Sequence, residues 1–192
     1  MGRAIRLGSR YIPIRHLAGR ASAVAPPKRY WKQIAAIYHA ITRDWWHYTY
    51  DPVGAEVLTL DGPRIYALTL NQGRTGRLGY GDCDDIAVAA GALLMSIGMH
   101  VVIATTAAPN SPYIFDHVFL IVKPPRCRTW KFFDPVLYDP ELHPGRGFGD
   151  IAKHDRLAVW DLDTRLLEKR GSFPPRFDEV MNLYGFGQAA GF

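Results

Sequence analysis

The sequence predicts an α+β fold, and three patterns carry that prediction. "KRYWKQIAAIYHAITRDWW" and "IAVAAGALLMSIG" place apolar residues at helical spacing. "HVVIATTA", "DHVFLIV" and "TWKFFDP" follow as short apolar runs broken by Pro, Asn, Ser and Asp. Helices grouped before strands point to helices packed on an antiparallel sheet, not to alternating βαβ units.

The chain begins with residues 1–29, which hold Arg3, Arg6, Arg10, Arg15, Arg20, Lys28 and Arg29 and no acid. The formal net charge of the whole chain is +5, so this segment carries more than all of it and the remainder is −2. Broken by Gly and by Pro26-Pro27, the segment reads as a basic flexible arm preceding a single domain over residues 30–192. Such an arm suits an acidic protein partner. Nucleic acid is a poorer fit, because the body after residue 29 is slightly acidic and shows no base-reading module.

The first helix sets Ile34, Ile37, Ile41 and Trp45 on one face with Tyr38 beside them. From residue 47 to residue 81 the chain is short apolar pieces divided by Asp-Pro, Gly-Pro and Gly-rich turns, with one strand expected near Ile65–Leu70. The second helix buries Ile86, Ala90, Leu93, Leu94 and Ile97 and is ended by Gly98. The three strands come next, then a Pro- and Gly-rich loop "PVLYDPELHPGRGFGD", a hairpin of "RLAVWDL" and "RLLEKRG" around Asp163-Thr164, and a short helix near "RFDEVMNLYG".

Several classes are excluded at this level. Two cysteines, Cys83 and Cys127, are too few for a disulfide framework and have no zinc-site spacing. The apolar run from Ile86 to Ile97 is too short to span a membrane, and the N-terminus offers no uninterrupted apolar stretch of signal-peptide length. A cytoplasmic protein is expected. "GYGD" and "GRTGRLG" lack the strand and helix context of a phosphate loop, so no cofactor and no metal is expected.

Chemistry concentrates at "GYGDCDD", residues 79–85, where one cysteine sits among three acids at the start of the second helix. Like charge disfavours a thiolate, so either Cys83 is inert or something opposes those acids. If Asp82 is the N-cap, its carboxylate accepts from the N–H of Asp84 or Asp85 and Cys83 becomes the first helical residue. Asp84 and Asp85 then complement the helix dipole, while the free N–H groups of the first turn favour an anion at the sulfur.

A base follows from a hairpin argument. If "DHVFLIV" and "TWKFFDP" pair about a centre between Pro125 and Arg126, His117 falls opposite Asp134, and Phe119 opposite Phe132. The carboxylate would hold the imidazole and stabilise its charged form, leaving the other ring nitrogen for Cys83. A bulge in "KPPRCR" would shift this register by one and turn one of the two side chains away. His39, His47, His100, His143 and His154 are read as packing, surface or loop residues.

These blocks, "GDCDDIAVAAGALLMSIGMHVVIA", "DHVFLIV" and "WKFFDPV" in that order, resemble the transglutaminase-like superfamily of papain-like cysteine enzymes. The resemblance covers roughly residues 79–136. It implies a papain/transglutaminase-like core, with the catalytic-cysteine helix packed on an antiparallel sheet. It also implies Cys83 as nucleophile, His117 as general base and acid, and Asp134 as orienting carboxylate. The activity implied is acyl transfer on carboxamides of a protein or peptide substrate through a thioester, as a peptidase, an amidase or a transglutaminase; similar chains occur in Mu-like phages and prophages. The family's second oxyanion donor lies upstream of the cysteine, and Gln72, Trp45, Trp46 and Tyr80 are the candidates. The competing expectation is a catalytically silent assembly module that docks through its basic arm.

Overall fold

The computed structural model describes residues 1–49, 79–107, 117–136, 156–163 and 165–170. In chain order these form α1 (Gly2–Arg10), α2 (Ile12–Ser22), α3 (Tyr30–His39), a π-helical segment (Ala40–Trp45), β1 (Trp46–Tyr48), β2 (Gly79–Gly81), α4 (Cys83–Ser96), β3 (His100–Ala107), β4 (His117–Lys123), β5 (Lys131–Phe133), β6 (Arg156–Trp160) and β7 (Leu166–Arg170). The expected strand near Ile65–Leu70, the loop after Val136 and the helix near "RFDEVMNLYG" lie outside the described residues.

The architecture is α+β. Five antiparallel strands run in the order β5-β4-β3-β6-β7, and β1 and β2 form a separate parallel pair. β3 is central because every residue from Val101 to Thr106 is buried, and it pairs with β4 on one side and β6 on the other. The sheet is apolar on both faces, which explains why its strands read as continuous apolar runs. One face, with Val101, Ile103, Leu120, Val122 and Phe133, joins the helices in the main core. Val102, Ala104, Phe119, Ile121, Leu157 and Val159 form a second buried cluster of the opposite parity.

α4 lies at the centre of the helical layer, against β3, β4 and all three preceding helices. Its residues from Asp85 through Leu94 are all buried, so it is apolar nearly all round, as a central helix must be. It stops at Gly98, which takes a left-handed φ of 82°. The N–H of Gly98 donates to Met95 O (2.9 Å) and that of Met99 to Leu94 O (3.1 Å), the paired bonds of a Schellman ending.

The flexible arm expected at residues 1–29 is not what the structure contains. α1 and α2 occupy residues 2–22 and belong to the main core, with Ile5, Ile14 and Ala18 wholly buried and Ala4 and Leu17 nearly so. The apolar positions recur every three or four residues between the arginines, so each helix hides one stripe and leaves Arg3, Arg10, Arg15 and Arg20 exposed. Pro13 does not break α2, because it sits in the first turn where no intrahelical donor is lost. Arg6 pairs with Asp163, tying α1 to the β6–β7 hairpin. The core therefore begins at α1, not at residue 30.

The first sequence-predicted helix is α3 followed by the π-helical segment. Ile34, Ile37, Tyr38 and Ile41 are buried as their spacing required, and Trp45 packs partly buried against the same core. Thr42 Oγ1 donates back to the Tyr38 carbonyl at 3.0 Å, a local bond that accompanies the widened turn. At the far end of the sheet, β6 and β7 form the expected hairpin, with three pairs centred between residues 163 and 164 and the last, Trp160 with Leu166, shifted by the irregularity at Val159/Trp160. The turn is held by Asp161, whose Oδ1 accepts from the N–H of Asp163 (2.8 Å) and Arg165 (2.9 Å).

Candidate active site

The site is assembled from the start of α4, the start of β4 and the residue just past β5. Asp82 is the N-cap of α4, and its Oδ1 accepts from the N–H of Asp84 at 3.2 Å. Cys83 is thereby the first helical residue, half-buried against the core. Its backbone N–H belongs to the first turn, which has no intrahelical carbonyl to bond, and the positive end of the helix dipole lies behind it. Gly81 permits this entry: a Cβ there would fall on the Asp85 side chain, which is itself buried.

His117 opens β4 and Asp134 follows β5. The imidazole Nε2 lies 2.8 Å from Asp134 Oδ2, with the carboxylate almost fully buried. Asp134 is itself held: its Oδ1 accepts from the Val136 N–H at 3.2 Å, and Tyr38 Oη donates to its backbone carbonyl at 3.4 Å. Phe119 stacks on the imidazole, centroids 5.8 Å apart. With both the ring and the carboxylate braced, the pair has little freedom to separate.

The hairpin that makes this pair is not in the expected register. Leu120 pairs with Phe133, Ile121 with Phe132 and Val122 with Lys131, so the continuation of the ladder sets Phe119, not His117, opposite Asp134. The tight turn itself is centred between Pro125 and Arg126, with the Cys127 N–H donating to Pro124 O at 3.2 Å. Residues 128–130 then run outside the ladder, and the pairing slips by two. A slip of two preserves the face on which each side chain stands, whereas a slip of one reverses it. His117 and Asp134 thus meet as diagonal neighbours, and Phe119 and Phe132, also diagonal, keep a ring contact at 5.2 Å.

Burial works against charge on His117, but the hydrogen bonds to Asp134 and Cys83 and the Coulombic attraction of both outweigh it and push the imidazole up to about 10. Cys83 and Asp134 are thus the two groups that raise the same ring. Since Nε2 is engaged by Asp134, Nδ1 is the nitrogen left for the sulfur.

The remaining candidates separate from this cluster. Trp46 is buried and its Nε1 donates to the Gly81 carbonyl at 3.3 Å, so it braces the entry to α4 and has no free N–H for an oxyanion. Trp45 is packing. Gln72 lies outside the described residues, as do His143 and His154. His39 is largely exposed, and the partial burial of its ring together with the nearby Arg43 lowers its pKa. His100 is exposed at the start of β3, and Cys127 sits in the β4–β5 turn. Sequence reasoning missed the roles of Tyr38 and Trp46 as braces, because no local pattern distinguishes a bracing hydroxyl or indole from a core ring.

Among the described residues no helix is long and apolar enough to cross a membrane. Asp82, Asp84 and Asp85 bring three carboxylates within 4.8 Å of one another. Asp82 is already committed as the cap, and Asp84 and Asp85 stand in the first turn, where acids complement the helix dipole. In comparisons with known proteins, no protein-family model matches the chain and no curated protein matches it, so the functional reading rests on the geometry above.

Proposed function

We propose that the protein is a cysteine-dependent acyl-transfer enzyme acting on carboxamides of a protein or peptide, with Cys83, His117 and Asp134 as its triad and a transglutaminase-like, papain-related core. The observation that carries the reading is the 2.8 Å His117–Asp134 contact, on an imidazole that Cys83, at a helix start, also helps to raise. A raised histidine carries its proton at neutral pH, and a histidine charged from solvent would be no base. In the proposed cycle the proton that His117 carries is the one taken from Cys83.

Cys83 Sγ then attacks the carboxamide carbon, and the developing oxyanion meets the Cys83 backbone N–H. The C–N bond breaks as His117 returns its proton to the departing amine, leaving a thioester on Cys83. Water or a second amine next attacks that carbonyl, giving its proton to His117, and the C–S bond breaks to release an acid or a new amide. Peptidase, amidase and transglutaminase outcomes share every step up to the second nucleophile. Asp134 holds the ring in place throughout.

The reading is tested by incubating the full chain with a glutamine-containing casein substrate and a fluorescent primary amine, scoring ammonia release, amine incorporation and new peptide fragments together. Any of these products, lost in Cys83→Ala, supports it; none of them, with an intact fold, counts against it.

A further inference from the structure

A cleft of about 530 Å³ lies between the start of α3 and the β4–β5 turn, with Lys28, Arg29, Lys32 and Arg126 on its walls and no acid among the described lining residues. None of these four cations is in an ion pair with a described residue. Its two sides are built alike. Pro26-Pro27-Lys28-Arg29 closes a turn with the Arg29 N–H on Pro26 O at 3.2 Å, and Pro124-Pro125-Arg126-Cys127 closes one with the Cys127 N–H on Pro124 O at 3.2 Å. In each turn the third residue is basic and left-handed, Lys28 at φ 63° and Arg126 at φ 62°. That is a position where Gly or Asn is ordinarily favoured.

We infer that this cleft is a docking site for an acidic polypeptide segment. The cations come from two separate turns and a helix start, so they are spread along the cleft and match charges distributed on an extended chain better than a single compact anion. Trp31, Pro124 and Pro125 add apolar wall for the backbone and stems of such a segment. Single-stranded nucleic acid is the poorer match, because it needs open aromatic faces for its bases. Here Lys131 Nζ sits over Trp31 at 4.8 Å and Lys123 Nζ over the neighbouring Trp130 at 4.7 Å, each occupying a ring face and adding a cation. The cleft is also distant from the cysteine: it adjoins the end of β4, six residues from His117, ~20 Å along an extended strand. It therefore contributes binding without touching the triad, and the inference stands whether or not the proposed reaction does.

The test is fluorescence anisotropy of a short fluorescein-labelled glutamate-rich peptide with the full chain, at low and at physiological salt. Binding is expected, weakening as salt rises. The Lys28→Gly/Arg126→Gly variant is expected to bind roughly tenfold or more weakly. The same variant is expected to be at least as resistant to urea, since glycine suits the left-handed backbone, which separates lost binding from lost fold. Arg15→Gln, on the exposed face of α2, serves as the charge control and is expected to leave affinity unchanged. Alkylation of Cys83 is expected to be the same in all of these proteins. Unaltered affinity in the double variant, an equal loss in Arg15→Gln, no peptide binding at low salt, or tighter binding of a thymidine oligonucleotide of equal charge would overturn the inference.

Discussion

His117 and Asp134 meet at 2.8 Å although the β4–β5 ladder does not set them opposite one another. The contact is diagonal, and it depends on residues 128–130 leaving the ladder by two positions. Deleting one residue from 128–130 is therefore expected to reverse the face of Asp134 and break the contact, while deleting two restores the face. Alkylation of Cys83 should fall in the single deletion and recover at least partly in the double one.

The raised pKa of His117 gives a signed dependence on pH. A histidine held above its ordinary value contributes stability that is fully present below about 6.5 and is lost as pH rises toward about 10. Urea unfolding is expected to show the advantage of the native chain over His117→Gln shrinking across that window. Asp134→Asn removes the leading stabilising partner, so in that variant the imidazole is expected to titrate well below 10 by NMR. A His117 that titrates near its ordinary value in the native protein would contradict the coupling.

Removal of the cap tests how Cys83 is placed. Asp82→Ala is expected to cost about 1 kcal/mol of stability, the usual worth of an N-cap side chain. Asp82→Ser should retain most of it. Both are measured by urea denaturation.

The glycines at either end of α4 differ in what they permit. At Gly98 there is room for a side chain but a left-handed backbone, so Gly98→Ala is expected to cost roughly 1–2 kcal/mol and leave thiol reactivity alone. At Gly81 a methyl group collides with Asp85, and Gly81→Ala is expected to disturb the helix start and lower Cys83 reactivity as well as stability.

Packing of the N-terminal helices is tested at Ile5, wholly buried against α4 with its Cδ1 2.9 Å from where a Cβ at Gly91 would stand. Ile5→Ala is expected to cost about 2–5 kcal/mol. A free arm would give no change.

Much of this molecule was legible in its residues because the signals were local. Asp82 before an apolar run marks a cap, Gly98 after one marks a stop, and the apolar runs of β3, β4 and β6 mark buried strands. The His117–Asp134 pair was legible through parity, which survives a two-residue slip. The arm was misread because seven cations outweighed the recurrence of Ala4, Ile5, Ile14, Leu17 and Ala18 between them; net charge reports the exposed stripe of such helices and hides the buried one. The slip at residues 128–130 and the parallel pairing of β1 with β2 arise from tertiary packing, and neither has a signature in its own short stretch of chain.

The most direct test of the central claim is the rate at which iodoacetamide modifies the two cysteines at neutral pH, read by mass spectrometry in the native chain and in His117→Ala. Cys83 is expected to react well ahead of Cys127. That lead is expected to drop roughly tenfold or more in the variant, since a free thiol is only a few per cent ionised at pH 7. Equal rates for the two thiols, unchanged by loss of the imidazole, would contradict it.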